Sequence, residues 1–470
     1  MIFVGILEFL MIFCGNSRFV LRRNKMKYIF LAFLAFFISA CATKALNYDP
    51  KDIKRDYNAT WQYNFNIAEL DSLITEALKN NEDLETASLN LYQAMLRANI
   101  ALSDLAPTPS ASTRASSNRD IKAGGASARS FTADVSLGWE LDIFGRIYDG
   151  YESARFGAIA SSLSLEDVRE SLVNSVISAY FNILYLNEQK ANLLLNYENM
   201  LKLHEIVKIK ESLGREEPLA LSLSAGNLLS LQNSLNNADK DLNASFESLK
   251  NLTRTQFLPS TKISEISLPK ADLGTISAEN NDGELNISWL SRLSSRPDVN
   301  MALAQLNAGF YDYKASQKDF LPRINLGGSL SSSSDKISDA YTFNLLSGNV
   351  SISLPFLNFY KLSQNLKISE AEFNKLRLNY KKTLANAINE ALRFASDYEL
   401  DSQSLLNSEN IITEREKILA IYEQKYSLGR AELKDLLSAQ NDLLSAKNSL
   451  ANMKYQVLRD LIGFYKASAY

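Results

Sequence analysis

The chain has 470 residues, a formal net charge of −3, and side chains that are 46% hydrophobic and 22% charged. That is enough apolar material for a core, which excludes wholesale disorder, and the near-neutral balance offers no basic surface for nucleic acid. One histidine, His204, and two cysteines, Cys14 and Cys41, cannot build a His/Cys zinc site or a matched nucleophile pair, so an enzyme is disfavoured and no cofactor or metal is expected. A lone His204 on a polar helix is expected to be exposed.

The N-terminus reads as an address. Met26 to Ala40 is MKYIFLAFLAFFISA, a lysine before an apolar run too short to span a bilayer comfortably. Small residues then precede Cys41, which resembles a bacterial lipobox whose cysteine becomes the lipidated, palmitate-bearing first residue. The other reading is an ordinary signal peptide with a chance cysteine. Residues 1–40 are therefore predicted to be a signal peptide, with 1–25 a mis-assigned start upstream of Met26. Without it the net charge is about −7, because Arg18, Arg22, Arg23, Lys25 and Lys27 leave with Glu8. Ala42 follows the cysteine in place of aspartate, which in enterobacterial-type sorting favours the outer membrane. No later segment has 18 consecutive apolar residues, so no membrane-crossing helix is predicted.

Proline and glycine partition the rest. Ala158 to Leu213 and Phe356 to Leu428 contain neither, and both are much longer than an ordinary globular helix. Leu172, Val176, Tyr180, Ile183 and Asn187 recur at helical steps, as do Leu384, Ile388, Ala391, Ala395 and Tyr398. Rods of 60 to 70 residues would be roughly 90–105 Å long, and a narrow apolar stripe predicts coiled-coil packing.

The sequence repeats at an offset of 215. Asp83 recurs as Asp298, Pro107 as Pro322, Val135-Ser136 as Val350-Ser351, and Leu213-Gly214-Arg215 as Leu428-Gly429-Arg430. Leu228-Leu229-Ser230 and Asn233-Ser234-Leu235 recur as Leu443-Leu444-Ser445 and Asn448-Ser449-Leu450. Each half reads helix, strand pair, long helix, glycine turn, returning helix. The predicted division is an anchored segment at 41–65, repeat 1 at 66–255, an equatorial linker at 256–290 and repeat 2 at 291–470. The hairpins fall at about 108–146 and 322–360, and the tips at about 213–218 and 428–432.

The hairpins carry the functional signal. Phe131, Ala133, Val135, Leu137, Trp139, Leu141 and Ile143 alternate with Thr132, Asp134, Ser136, Gly138, Glu140 and Asp142. Thirteen residues of strict alternation span roughly 44 Å, enough to cross a bilayer at a tilt with apolar side chains toward lipid. Asp134, Glu140 and Asp142 would then line a watery lumen. In the second half Tyr341, Phe343 and Leu345 are out of phase with Val350, Ile352 and Leu354, which predicts a bulge near Ser347-Gly348-Asn349. One chain offers about four spanning strands, an open sheet leaves edge amides unsatisfied in lipid, and the smallest closed barrels have eight strands. Copies must pool strands: two give eight, three give twelve.

These residues resemble the TolC-like outer-membrane efflux channels, nearest the lipoprotein branch typified by OprM. Trp139-Glu140-Leu141-Asp142-Ile143-Phe144-Gly145-Arg146 is similar to that branch's strand-to-helix motif, and Arg296-Pro297-Asp298 to its RPD motif opening the second repeat. Phe320-Leu321-Pro322 fits the helix-to-strand junction. Pro297 also suits a first helical position. The resemblance covers roughly residues 41–470 and implies a mainly α chain with a transmembrane β part: a homotrimer whose twelve-stranded barrel continues into a long periplasmic helical barrel. It further implies a periplasmic adaptor, an inner-membrane transporter that is usually proton-driven, and a passive role in efflux of small toxic compounds and multidrug resistance.

In that family the adaptor docks at the two helix reversals, which match Leu213, Gly214, Arg215, Leu428, Gly429 and Arg430. Acids past the second reversal commonly line the closed aperture. The branch often has aspartate where this chain has Ser438 and an apolar residue at Lys434, so Glu432, Asp435 and Asp442, with Glu216 and Glu217 at the first turn, stand as substitutes or as solvated helix faces. Two other readings remain at this stage: an outer-membrane duct for type I protein secretion, and a lipid-anchored coiled-coil scaffold with no pore.

Overall fold

The computed structural model describes residues 65, 67–119, 127–266 and 293–468. The predicted signal peptide, Cys41 and most of the predicted linker lie outside the described residues. The order is α1 (Ala68–Asn80), α2 (Glu82–Ser103), β1 (Thr108–Asn118), β2 (Ala128–Leu141), α3 (Arg146–Ser212), α4 (Pro218–Thr253), α5 (Pro297–Lys318), β3 (Arg323–Ser334), β4 (Leu345–Ser353), α6 (Phe359–Ser427) and α7 (Leu433–Ser468). The chain is mainly helical, and the duplication is built into its boundaries: α2 and α5 start and end 215 residues apart, as do α4 and α7.

The strands form one unit, a single four-stranded sheet in the order β1-β2-β3-β4. β1 and β2 are antiparallel, from Thr108 opposite Gly138 to Asn118 opposite Ala128. Pro109 cannot donate to a ladder, and it sits on an edge strand where that is tolerated. Every residue of β1 and of β4 is exposed. Within this unit only Ala133, Ser332 and Ala340 are buried among the described residues. The alternation of β2 thus faces no core on either side, unlike a soluble half-buried strand.

The second hairpin corrects the sequence reading. Ile337–Asp339 is a short 3-10 turn, and β4 begins only at Leu345. The Asn344 amide bonds the Ser331 carbonyl to close the connection at 3.2 Å. Tyr341 and Phe343 therefore belong to that connection, and the change of phase falls outside the strand. Gly348 lies inside an uninterrupted β4, in place of the predicted bulge. Across the hairpin Gly327 leaves room for Asn349, whose Oδ1 would be 2.2 Å from a Cβ there.

The helices form the other unit. α3 and α6 run 67 and 69 residues: α6 falls within its breaker-free stretch, while α3 starts earlier than its own and runs through Gly150 and Gly157. α3 buries Leu172, Val176, Tyr180 and Ile183 of its predicted stripe, together with Val173, Ile177, Phe181 and Leu184. They pack with Leu70, Leu73 and Ala77 of α1, Leu84 and Leu91 of α2, Leu249 of α4 and Leu458 and Ile462 of α7. His204 is half-buried on α3, its Nδ1 2.7 Å from the hydroxyl of fully buried Ser224 on α4. The expected exposure gives way because the returning helix covers that face. No described helix is long and apolar enough to cross a membrane.

Candidate functional site

The two glycine turns are the same structure made twice. Gly214 and Gly429 both have φ 67°, a left-handed conformation that a Cβ disfavours. In the first turn the Gly214 amide bonds the Glu211 carbonyl and the Arg215 amide bonds the Lys210 carbonyl, both at 2.8 Å. In the second, Gly429 bonds Tyr426 at 3.1 Å and Arg430 bonds Lys425 at 2.8 Å. These paired bonds satisfy the last free carbonyls of each long helix in a Schellman arrangement. Pro218 then opens α4 at its first position, where its missing N–H costs nothing.

The turns lie together. Tyr426 of α6 is buried with Met200, Leu203 and Val207 of α3, Ala220 and Leu231 of α4, and Leu433, Leu436 and Leu437 of α7. Its hydroxyl donates to Glu216 Oε2 at 3.4 Å, and Lys210 Nζ sits 4.0 Å from its ring centre. Burial, reinforced by the Glu216 charge, pushes the Tyr426 phenol up to about 12. Tyr426 and Lys210 were missed in the sequence. The available signal was the repeat itself, because Tyr426 stands where the first half has Glu211. Above this small core Leu213 and Leu428 are 63% and 60% exposed, flanked by exposed Arg215 and Arg430.

The candidate acids are not gathered. Glu217, Glu432 and Asp435 are exposed, and the Glu432 carbonyl accepts the Asp435 amide at 3.1 Å. Asp442 is paired with Arg415 of α6 at 2.9 Å. Glu216 is half-buried on Tyr426.

On the strands, Asp134 and Glu140 are half-exposed on β2, with Asp134 opposite Ser112. The Trp139 indole donates to the Leu105 carbonyl at 2.9 Å, fixing the entry to β1. Asp142 departs from the lumen expectation. It lies past the last strand residue, and its carboxylate accepts the amides of Ile147 and Tyr148 at 3.0 and 2.8 Å. Those are free N–H groups at the start of α3, where a negative charge also meets the helix dipole. Gly145 precedes the helix with φ 72°. Lys318 of α5 donates to its carbonyl at 3.0 Å and pairs with buried Asp149 at 2.5 Å.

The RPD residues build a clasp of helices. Arg296 is 7% exposed. Its Nε and Nη2 bond both oxygens of Asp298 at 3.0 and 2.9 Å, Nη2 also reaches Glu390 of α6 at 3.0 Å, and Nη1 donates to the Ala467 carbonyl of α7 at 3.0 Å. Pro297 is the first residue of α5, and the Val299 amide bonds Asp298 at 2.8 Å. Burial raises the Asp298 carboxyl, but the Arg296 hydrogen bonds and charge outweigh it and hold the group below its ordinary value.

No group of three or more His, Cys, Asp or Glu side chains among the described residues is arranged to hold a metal ion. What the site offers is surface and shape: strands open on both faces, and two twin turns.

Over 90% of this chain and 92% of that one, the fold superposes on the Campylobacter jejuni CmeC outer membrane channel with a TM-score of 0.79 at 22% identity, a likeness of fold. The family model described as "Outer membrane efflux protein" matches residues 73–253 and 291–469, and the chain belongs to that family. It is 28% identical over 421 residues to toxin and drug export protein A of Aggregatibacter actinomycetemcomitans, covering 89% of this chain and 90% of the relative. It is 27% identical over 398 residues to the probable outer membrane lipoprotein SilC of Salmonella typhimurium, covering 81% of each.

Proposed function

We propose that the chain is the outer-membrane exit duct of a tripartite efflux system, a homotrimer whose pooled strands close a twelve-stranded barrel in the bilayer. The observation that carries this is the open sheet: β1 and β4 are exposed edges, and neither face of the sheet is buried. In water such edges invite aggregation, and in lipid each unpaired amide costs several kcal/mol. Three copies joining β4 of one to β1 of the next satisfy both edges of each sheet and leave none. Asp134 and Glu140 then face the lumen, and no chemistry is performed.

Cys41 carries the lipid anchor, repeat 1 spans 66–255 and repeat 2 spans 291–470. The Leu213, Gly214, Arg215 and Leu428, Gly429, Arg430 turns receive a periplasmic adaptor, which in turn engages a proton-driven inner-membrane transporter. Two exposed leucines flanked by arginines suit an apolar contact with an acidic rim. Small toxic compounds are the proposed cargo. One observation favours a second cargo class, a secreted protein: the Aggregatibacter relative is named for toxin as well as drug export.

Planar-bilayer recording on protein extracted from outer membranes tests the duct. Discrete conductance from a species of three-chain mass is the expected result; protein that is monomeric and electrically silent, including after tip variants, overturns it. Changing Glu432 and Asp435 together to Ala raises basal current if they close the aperture, and unchanged current removes them. Labelling with a palmitate analogue that is lost in Cys41→Ser tests the anchor.

A further inference from the structure

Asn-x-Ser/Thr triplets stand at Asn58, Asn243, Asn251, Asn286 and Asn349. That triplet is the acceptor for N-linked sugar in an exported protein. Three of the five have an acid two residues earlier: Asp56 before Asn58, Asp241 before Asn243 and Glu284 before Asn286. Asp and Glu together are 53 of 470 residues, so composition alone would put an acid before fewer than one of them. Asn58 and Asn286 lie outside the described residues, which leaves Asn243 of α4.

The fold separates the three described triplets. Asn349 lies within β4, packed on Gly327. Thr253, which completes the Asn251 triplet, is fully buried, and its hydroxyl donates to the Leu249 carbonyl at 2.9 Å. Neither of these has an acid before it; Ser347 and Leu249 stand there. Asp241 and Asn243 are both exposed. The exposed large apolar side chains of α4 are Leu219, Leu223 and Leu229, all in its first third. Beyond them Asn236, Lys240, Asn243 and Glu247 follow at helical steps on an exposed polar face. A bulky solvated group there displaces no apolar contact. The acid-flanked acceptor is the one the fold leaves open.

Asp241, Asn243 and Ser245 are spaced by two. Residues so spaced share one side of an extended chain and are spread around a helix. In the folded protein Ser245 is turned to α3, where its hydroxyl accepts from the Asn182 amide at 2.7 Å. The three side chains therefore present themselves together only before α4 forms, as an exported chain emerges into the periplasm.

We propose that Asn243 is a glycosylation site, modified in the periplasm by an oligosaccharyltransferase that reads Asp241 as well as Ser245. The Asn243 Nδ2 attacks the anomeric carbon of a polyisoprenyl diphosphate-linked oligosaccharide. A carbon–nitrogen bond forms, the bond from that carbon to the diphosphate oxygen breaks, and the polyisoprenyl diphosphate leaves. The displaced amide proton passes to a base of the transferase, and nothing is oxidised or reduced. The acid offers a transferase cation a charge-assisted contact that the bare triplet lacks. On the folded protein the sugar stands on the polar face of α4, roughly 38 Å along the helix from Pro218 and clear of the turns.

The test uses full-length protein isolated from the outer membranes of its native host and does not depend on the channel reading. Peptide mapping by mass spectrometry is expected to find an oligosaccharide on the Asn243 side chain. Asn243→Gln is expected to lose one oligosaccharide from the intact mass. Asp241→Ala is expected to lose the same one, and Asp241→Glu to keep it. Both positions are exposed, so the variants are expected to keep the wild-type Tm to within a degree or so. An unmodified Asn243 in the wild type overturns the proposal. So does sugar kept in full by Asp241→Ala, or sugar found only on serine and threonine hydroxyls.

Discussion

α3 and α6 occupy equivalent places in the two repeats and differ by two residues in length, yet they are buried very differently. α3 has 18 buried residues, and α6 has three: Ala387, Ala391 and Tyr426. Along α6, Ile368, Leu378, Leu406, Ile411 and Ile421 are each more than half exposed. The first repeat's long helix is the spine of the chain's own core, with α1, α2, α4 and α7 packed around it. The second repeat's long helix is covered over one stretch, where Ala387 and Ala391 pack with Phe464 of α7 and Leu384, Ile388 and Ala395 lie against them, and is left largely open elsewhere. A 69-residue helix with this much open apolar surface is not stable on propensity alone. The difference teaches that duplication preserved the backbone while dividing the labour, with one helix made for the fold and the other for neighbours that the proposed trimer supplies.

The sharpest way to break this comparison is to truncate one apolar side chain on each helix. Phe181→Ala removes a ring that stacks edge-on with Phe65 and Tyr180, at 5.0 and 5.6 Å. It is expected to cost about 3–5 kcal/mol in chemical denaturation. Ile411→Ala is expected to change the dispersed single chain by less than about 0.5 kcal/mol and to lower the yield of trimer. Equal losses of stability from the two would end the division of labour.

Arg296→Ala comes next. It strands Asp298 and Glu390, but both acids are partly exposed, so about 2 kcal/mol is expected in place of the full cost of breaking a buried pair. Asp298 is held below its ordinary value, so its contribution is present above the unfolded carboxylate range and is lost as pH falls through the lowered folded value. Acid titration of stability is expected to show this loss in the wild type and not in the variant.

Gly214→Ala and Gly429→Ala place a Cβ at the same φ with open space around it. Each is expected to cost about 1–2 kcal/mol from backbone strain alone. Unequal thermal shifts would show that the turns differ in load despite matching geometry. Asp142→Ala removes two amide bonds at the start of α3, and about 1 kcal/mol is expected, read as a lower denaturation midpoint.

Much of this was legible because it rests on local chemistry. Glycine where φ must be positive, long stretches without glycine or proline, and one offset of 215 gave the helices, the turns and the duplication. The apolar stripe of α3 was legible for the same reason. What failed was reading residue type past the end of an element. Ile143 continues the apolar alternation after β2 has ended at Leu141, so Asp142 looked like a lumen residue when its amide partners lie five and six residues ahead. Tyr341 and Phe343 likewise have strand-like character but sit in the connection before β4. Tyr426 on Glu216, and Arg296 on Glu390, join residues far apart in the chain, which no spacing rule in one sequence reveals.

α4 and α7 are each 36 residues long, and the glycines before them share one register. This matched pair limits how the protein can change in evolution. A deletion in one arm would pull its reversal out of level with the other and unseat Tyr426 from Glu216. Insertions must therefore come in both arms together, and in steps of seven residues, about 10 Å at a time, if the seams are to stay in phase. In the proposed duct, reach across the periplasm is thus quantised, and natural variants of different length should differ by mirrored heptads.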